Sequence, residues 1–158
     1  MNKLDIQHAR KHQKFMARAF MLAEQALDED EVPVGAIIVK DDEIIGKGYN
    51  QVQRLNDPTA HAEILAISAA CANIGEKYLS GCTMYVTLEP CPMCAGALVW
   101  SKIDRLVYGA QDARTGACGS LFNLAANQKL NHQAEVIQGI MEKDSEHLLK
   151  SFFAKRRK

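Results

Sequence analysis

Two short motifs constrain this chain more than anything else in it: His61-Ala62-Glu63, and Pro90-Cys91-Pro92-Met93-Cys94. Each falls where the residue pattern starts a helix, just after a loop or a strand. Zinc accepts imidazole nitrogen and thiolate sulfur in tetrahedral geometry, and two intervening residues let the sulfurs of Cys91 and Cys94 reach one ion. His61 would supply a third ligand from the neighbouring helix start. A fold that satisfies this must bring two helix N-termini together from positions about 30 residues apart. No fourth ligand is evident nearby, which is what a catalytic zinc with an open water position requires. Two thiolates and a neutral imidazole nearly cancel the charge of the ion, so it polarises water less than one held by three neutral histidines. A base is then needed, and Glu63 is placed to be it. Positive potential at the helix N-termini would stabilise the thiolates.

Taken singly, each piece has a plainer reading. A CxxC pair fits redox chemistry or chance as well as metal. A lone His61 reads as a capping or core histidine, and a lone Glu63 as an acid favoured in a first helical turn. The joint pattern, H-x-E followed after 26 residues by P-C-x-x-C, is the specific signal, and it is the signature of zinc-dependent nucleobase deaminases.

The rest of the chain supports an enzyme-sized globular unit. With 158 residues, one domain is expected, able to bury roughly 70% of its unfolded surface without disulfides. Apolar content of 47% and a formal net charge of zero argue against disorder. There is no run of ~20 apolar residues to span a membrane, and Met1 to Asp5 has no apolar core of a secretion signal, so a cytoplasmic protein is expected. Five cysteines, an odd number, argue against a disulfide framework. Cys71, Cys82 and Cys118 lack metal-like spacing and read as small buried or loop residues. Residues 1–18 carry five bases against one acid, and Lys150, Lys155, Arg156, Arg157 and Lys158 form a basic end without an acid. Such an end is either a phosphate-contacting patch or a solvated terminus.

Periodicity gives the elements. Apolar residues at 15, 19, 22, 26 and at 16, 20, 23, 27 predict an amphipathic helix over about 8–28. Val34 to Val39 and Ile44 to Gly48 read as strands around an acidic turn. Asp57-Pro58 predicts a helix start, with Asp as cap and Pro at the first position, running to about Cys71. A strand follows over Met84, Val86 and Leu88, then a helix from Pro92 to Ser101, a strand over Arg105 to Tyr108, a glycine-containing loop over 109–120, and a strand over Glu135 to Gln138. Leu148, Leu149, Phe152 and Phe153 share one face of a last helix, where at least one Phe is expected to be buried. Trp100 is expected in the core or at a subunit contact. Helices alternating with strands predict a layered α/β domain.

Several stretches closely resemble the bacterial tRNA-specific adenosine deaminases. They include Glu31-Val32-Pro33-Val34-Gly35-Ala36, Asp57-Pro58-Thr59-Ala60-His61-Ala62-Glu63-Ile64, and Tyr85-Val86-Thr87-Leu88-Glu89-Pro90-Cys91. Met93-Cys94-Ala95-Gly96-Ala97, Val107-Tyr108-Gly109-Ala110, Thr115-Gly116-Ala117 and Gly119-Ser120-Leu121 continue the likeness, as do Asn131-His132 and the terminal Phe152-Phe153 with Arg156-Arg157. The metal motif marks a wider deaminase superfamily, whereas the 107–121 loop and the Phe-Phe-basic tail point to the tRNA branch. The resemblance implies a three-layer α/β/α cytidine-deaminase-like fold with a five-stranded mixed sheet, and a homodimer. It implies hydrolytic deamination of adenosine to inosine at the wobble position, with a tRNA anticodon stem-loop as partner, one Zn²⁺ per chain and no nucleotide cofactor. It assigns His61, Cys91 and Cys94 to the metal and Glu63 to proton transfer. Asn50 would contact the flipped base, with Ala62 and Phe153 also at the substrate, and Asp112 would lie near the substrate strand. Arg114, Arg156 and Arg157 would meet phosphates. Without the resemblance, Asn50 reads as a turn residue and the two phenylalanines as core.

Two other functions fit the same motifs. One is a free-base or nucleotide deaminase of guanine or cytosine type, which would share the metal centre. The other is a non-catalytic zinc-binding RNA partner subunit, against which the presence of Glu63 weighs.

Overall fold

The computed structural model describes residues 2–156. Helix α1 (Lys3–Asp28) leads into strands β1 (Gly35–Lys40) and β2 (Glu43–Tyr49). They are followed by α2 (Ala62–Ile74), β3 (Cys82–Leu88), α3 (Pro92–Trp100), β4 (Arg105–Ala110), β5 (Glu135–Gln138) and α4 (Glu142–Arg156). The strands form one five-stranded sheet in the order β2-β1-β3-β4-β5. β1 is antiparallel to β2 and β3, and β3, β4 and β5 run parallel to one another. The sheet is therefore mixed, and the expected three-layer α/β/α arrangement is present.

The layers follow from alternation along the strands. Ile38, Met84, Val86 and Leu106 point to the side where Ala62, Ala66 and Ala70 of α2 and Leu98 of α3 pack. Ile37, Tyr85 and Val107, each one residue out of phase, point to the other side against Phe15, Met16 and Ala19 of α1. α4 packs on β4 on the α1 side. Small residues let α2 lie very close to β2: a Cβ on Gly46 would stand 2.5 Å from the Ala66 carbonyl oxygen and 2.7 Å from the Ala70 nitrogen. That close seating fixes where α2 begins, and hence where His61 stands.

Three expectations need correction. The helix predicted from Asp57 begins at Ala62. Asp57 commits its carboxylate to a local turn, accepting 2.8 Å bonds from the Thr59 amide and hydroxyl, and after that turn the chain reaches the N-cap His61 in extended form. The first helix starts at Lys3 instead of near residue 8, on a capping box in which Asn2 and Asp5 bond each other's backbone. Residues 2–11 are exposed, so no packed face left an apolar period to read there. Trp100 is not a core residue: at the end of α3 it is 80% exposed.

One buried polar pair spans two layers. His12 of α1 lies 2.8 Å, Nδ1 to Oη, from Tyr85 of β3. Burial, and then the cations Arg105 and Lys11 with His8, hold the His12 pKa below its usual value. The unfolded chain therefore binds a proton that the folded chain refuses. The stability tied to this group is full above about pH 6.5 and falls as pH drops below it. His12→Gln, which still offers an acceptor to Tyr85, should flatten this part of the profile. Thermal melts between pH 7 and pH 5 should show a smaller fall for the variant than for the wild type, and parallel falls would refute the assignment.

Candidate metal centre and cleft

The metal-type side chains converge because two helices begin at the same place beside the sheet. Cys91 is the N-cap of α3, with Pro92 at the first helical position, and His61 is the N-cap of α2. Both N-caps are extended, and neither side chain caps its own helix. The His61 Nδ1 lies 3.7 Å from Cys91 Sγ and 3.6 Å from Cys94 Sγ. All three ligand atoms fall within 4.8 Å of one another. A tetrahedral zinc at its usual bond lengths separates a nitrogen from a sulfur ligand by about 3.6 Å. The three side chains thus fit zinc in atom type and spacing, and among the described residues no fourth His, Cys, Asp or Glu joins the group.

The electrostatics agree with a cation site. The Cys91 sulfur is pulled down to about 4, first by the hydrogen bond from Cys94 and further by His61. Cys94 is pushed up by the bond it donates to Cys91 and by burial. His61 is raised, chiefly by its bond to Cys91. Glu63, only 4% exposed in the first turn of α2, is pushed up to about 7, mainly by burial and also by the charge of Cys91.

A cleft of about 410 Å³ opens over this centre. His61, Ala62, Glu63 and Cys91 line it together with Asn50, Asp112 and Arg156; Cys94 lies buried behind. Asn50 is 8% exposed and held by a bond from its Nδ2 to the Val32 carbonyl at 3.2 Å and one to its Oδ1 from the Val52 amide at 3.4 Å. One amide hydrogen and one lone pair of that side chain remain. Phe152, not Phe153, reaches the cleft wall. Phe152 is buried and Phe153 is 46% exposed. Phe153 lines an adjoining groove of about 550 Å³ with Arg114. Arg156 sits over the Phe152 ring at 4.3 Å and donates to the Asp30 carbonyl at 2.9 Å. Arg157 lies outside the described residues.

The carboxylate of Asp112 is occupied locally. It accepts from the amides of Arg114 at 3.0 Å and Thr115 at 3.2 Å, and from the Thr115 hydroxyl at 2.8 Å. Two further acids at the cleft carried no role in the sequence reading. Glu31, 1% exposed, accepts from the Gln53 and Arg54 amides at 2.9 and 2.7 Å. Glu89, 2% exposed, accepts from the amides of Asp112, Cys118 and Ser120, each at 3.0 Å, and from the Ser120 hydroxyl. No side-chain pattern announces them, because their partners, the Ser120 hydroxyl apart, are backbone N–H groups 22–31 residues away. For Glu89 the available signal was negative: an acid directly after an apolar strand; Glu31, in the connection between α1 and β1, had none.

Comparison with known proteins places this geometry in a family. Residues 9–110 match the cytidine and deoxycytidylate deaminase zinc-binding region. The tRNA-specific adenosine deaminase of Aquifex aeolicus is 49% identical over 143 residues, covering 90% of this chain and 94% of that protein. A solved structure from work on A-to-I editing by tRNA:A34 deaminases at the wobble position superposes with a TM-score of 0.83 at 43% identity, over 86% of this chain and 99% of that one. A guanine deaminase from Bacillus subtilis matches at 44% identity but over only 63% of this chain and 64% of its own, with a TM-score of 0.61. The three-ligand centre, the layered fold and these likenesses over nearly the full length agree: the chain belongs to the zinc-dependent cytidine and deoxycytidylate deaminase family and, within it, to the tRNA-specific adenosine deaminases.

Proposed function

We propose that this protein hydrolyses the wobble adenosine of a tRNA anticodon loop to inosine, with Glu63 as its proton shuttle. The observation that carries the reading is a buried carboxyl group at the mouth of a three-ligand zinc site, at the floor of a cleft large enough for a base. His61, Cys91 and Cys94 would hold the zinc, which when bound would supply the Lewis acidity that makes a water nucleophilic at neutral pH. The target base must leave its stack to reach that depth. Glu63 takes a proton from the attacking water and returns it to the ring nitrogen beside C6. It then carries the second proton to the departing amine, so that adenosine and water become inosine and ammonia. A pKa near 7 suits a group that must both accept and donate. The remaining donor and acceptor of Asn50 fit the edge of the flipped base, and Ala62, at the start of α2, lies against it. Phe152 and Phe153 offer apolar walls to the base and to a neighbouring nucleotide. Arg114, Arg156 and Arg157 bring positive charge to the strand. No helix of the described residues is long and apolar enough to cross a membrane, and we place the protein in the cytoplasm with its tRNA substrate.

The experiment is turnover of an anticodon stem-loop carrying the wobble adenosine. The wild type should form inosine. Glu63→Gln should lose at least 10²–10⁴-fold, roughly the range of general acid–base catalysis, while keeping its zinc. Turnover confined to free guanine or nucleosides would contradict the tRNA reading, and an active Glu63→Gln would contradict the shuttle.

The protein also acts, in this reading, as a homodimer. Support comes from large apolar side chains left in solvent on α3 and the loop packed at its start: Met93 at 37%, Trp100 at 80%, Leu121 at 53% and Phe122 at 54% exposed. Sedimentation should give twice the chain mass for the wild type and monomers for Trp100→Glu. A wild type that is monomeric at micromolar concentration would refute it.

A further inference from the structure

Glu89 stands between the last residue of β3 and the metal-type Cys91. It is 2% exposed, and among the described residues no Lys or Arg forms an ion pair with it. Its compensation comes from one loop. Oε1 accepts from the Asp112 amide at 3.0 Å and from the Ser120 hydroxyl; Oε2 accepts from the Cys118 and Ser120 amides, both at 3.0 Å. Both ends of the 112–120 loop are therefore tied to one carboxylate. The neighbours in sequence reinforce the tie: the Glu89 amide donates to the Ala110 carbonyl at 2.8 Å, and the Ala117 amide to the Pro90 carbonyl at 2.9 Å. A second tier starts at Asp112, whose own carboxylate gathers the Arg114 and Thr115 amides. Gly116 leaves the carboxylate its room, since a Cβ there would stand 2.5 Å from Glu89 Oε2 and 2.5 Å from the Asp112 carbonyl.

We infer that Glu89 is a positioning residue for the reaction. It holds the substrate-facing rim, Asp112 to Thr115, at a fixed distance from the metal-type Cys91 two residues further along the chain, and so sets how the RNA strand is seated. This rests on the RNA reading given above. The loop carries Asp112 and Thr115 into the cleft and Arg114 beside it; Glu89 holds the Asp112 amide directly, and Asp112 in turn holds the Arg114 and Thr115 amides. The chemistry of the tie can be separated from bulk. In Glu89→Gln one oxygen becomes an amide. Placed at Oε2 it would face two N–H donors; placed at Oε1 it faces one N–H and a hydroxyl that can rotate to accept. The variant settles in the second orientation and leaves the Asp112 amide without its partner. The loss falls on the cleft end of the loop.

Three measurements on the full-length protein test this. For Glu89→Gln we expect one zinc per chain, and amide hydrogen exchange at least about tenfold faster in 111–116 with α2 and α3 unchanged. On the stem-loop RNA we expect a KM raised about tenfold, with kcat within about twofold of wild type. Gly116→Ala keeps Glu89 but displaces its carboxylate, and should reproduce both the exchange and the KM effect. An unchanged KM, an unchanged exchange rate in 111–116, or a loss that spreads to α2, α3 and zinc content would each overturn the assignment. A purely structural role would lower kcat in step with the folded fraction and leave KM alone. If the wild type fails to act on the stem-loop, the RNA reading falls by itself, and the exchange of 111–116 still decides whether Glu89 holds the loop.

Discussion

Two helices in this protein begin on residues whose side chains are withheld from capping. His61 and Cys91 occupy N-cap positions with the extended backbone of a cap, yet neither bonds its own helix. Forgoing such a bond costs about 0.5–2 kcal/mol at each helix start. What the structure obtains is a convergence that helix interiors cannot provide. Both side chains leave from the first turn, toward the same point beyond the sheet, with the helix dipoles aimed at the sulfurs. Cys94, one turn into α3, closes the set from behind. Everything else near the site depends on that seating: Gly46 admits α2 close to β2, the turn at Asp57 delivers His61 in extended form, and the end of β3 delivers Cys91.

Carboxyl groups around the cleft divide by what they are given as partners. Glu63 is placed beside the ligand sulfur and inside the fold, and burial raises its affinity for a proton into the range useful for transfer. Glu31 and Glu89 are buried as deeply but face backbone amides of the two rim loops. The same residue type is the proposed proton carrier in one place and an anchor for irregular chain in two others. The rim loops, 51–56 and 112–120, have little apolar material of their own with which to hold a shape. Anchoring them to single buried acids gives a substrate-facing edge that is rigid without being thick.

Much of this fold is legible in residue order because its causes are local. Alternation in Ile37-Ile38 and Met84-Tyr85-Val86 marks strands with two buried faces, and the 4-3-4 spacing of Phe15, Ala19, Leu22 and Ala26 marks the packed half of α1. The metal set is legible because it joins rare residue types at fixed spacing. What stayed hidden has non-local or competing causes. Asp57 looked like a helix cap and caps a turn instead, because an Asp side chain serves either N–H equally well. The first turns of α1 pack against nothing, so periodicity could not show them. Phe152 and Phe153 are adjacent on one helix, and only the way α4 packs on the rest of the fold decides which ring enters the cleft. Glu89 is invisible to any pattern of side chains, since apart from the Ser120 hydroxyl everything it holds is backbone.

The account stands or falls on one ion in one coordination sphere. X-ray absorption at the zinc edge, on the purified protein with its metal content measured, reads that sphere directly. The expected spectrum has two sulfurs near 2.3 Å and one imidazole nitrogen near 2.0 Å, with one further light atom, at one zinc per chain. A sphere filled by four protein side chains would remove the open position on which the deamination depends. A protein that carries no zinc, with Cys91 and Cys94 joined as a disulfide, would contradict the account altogether.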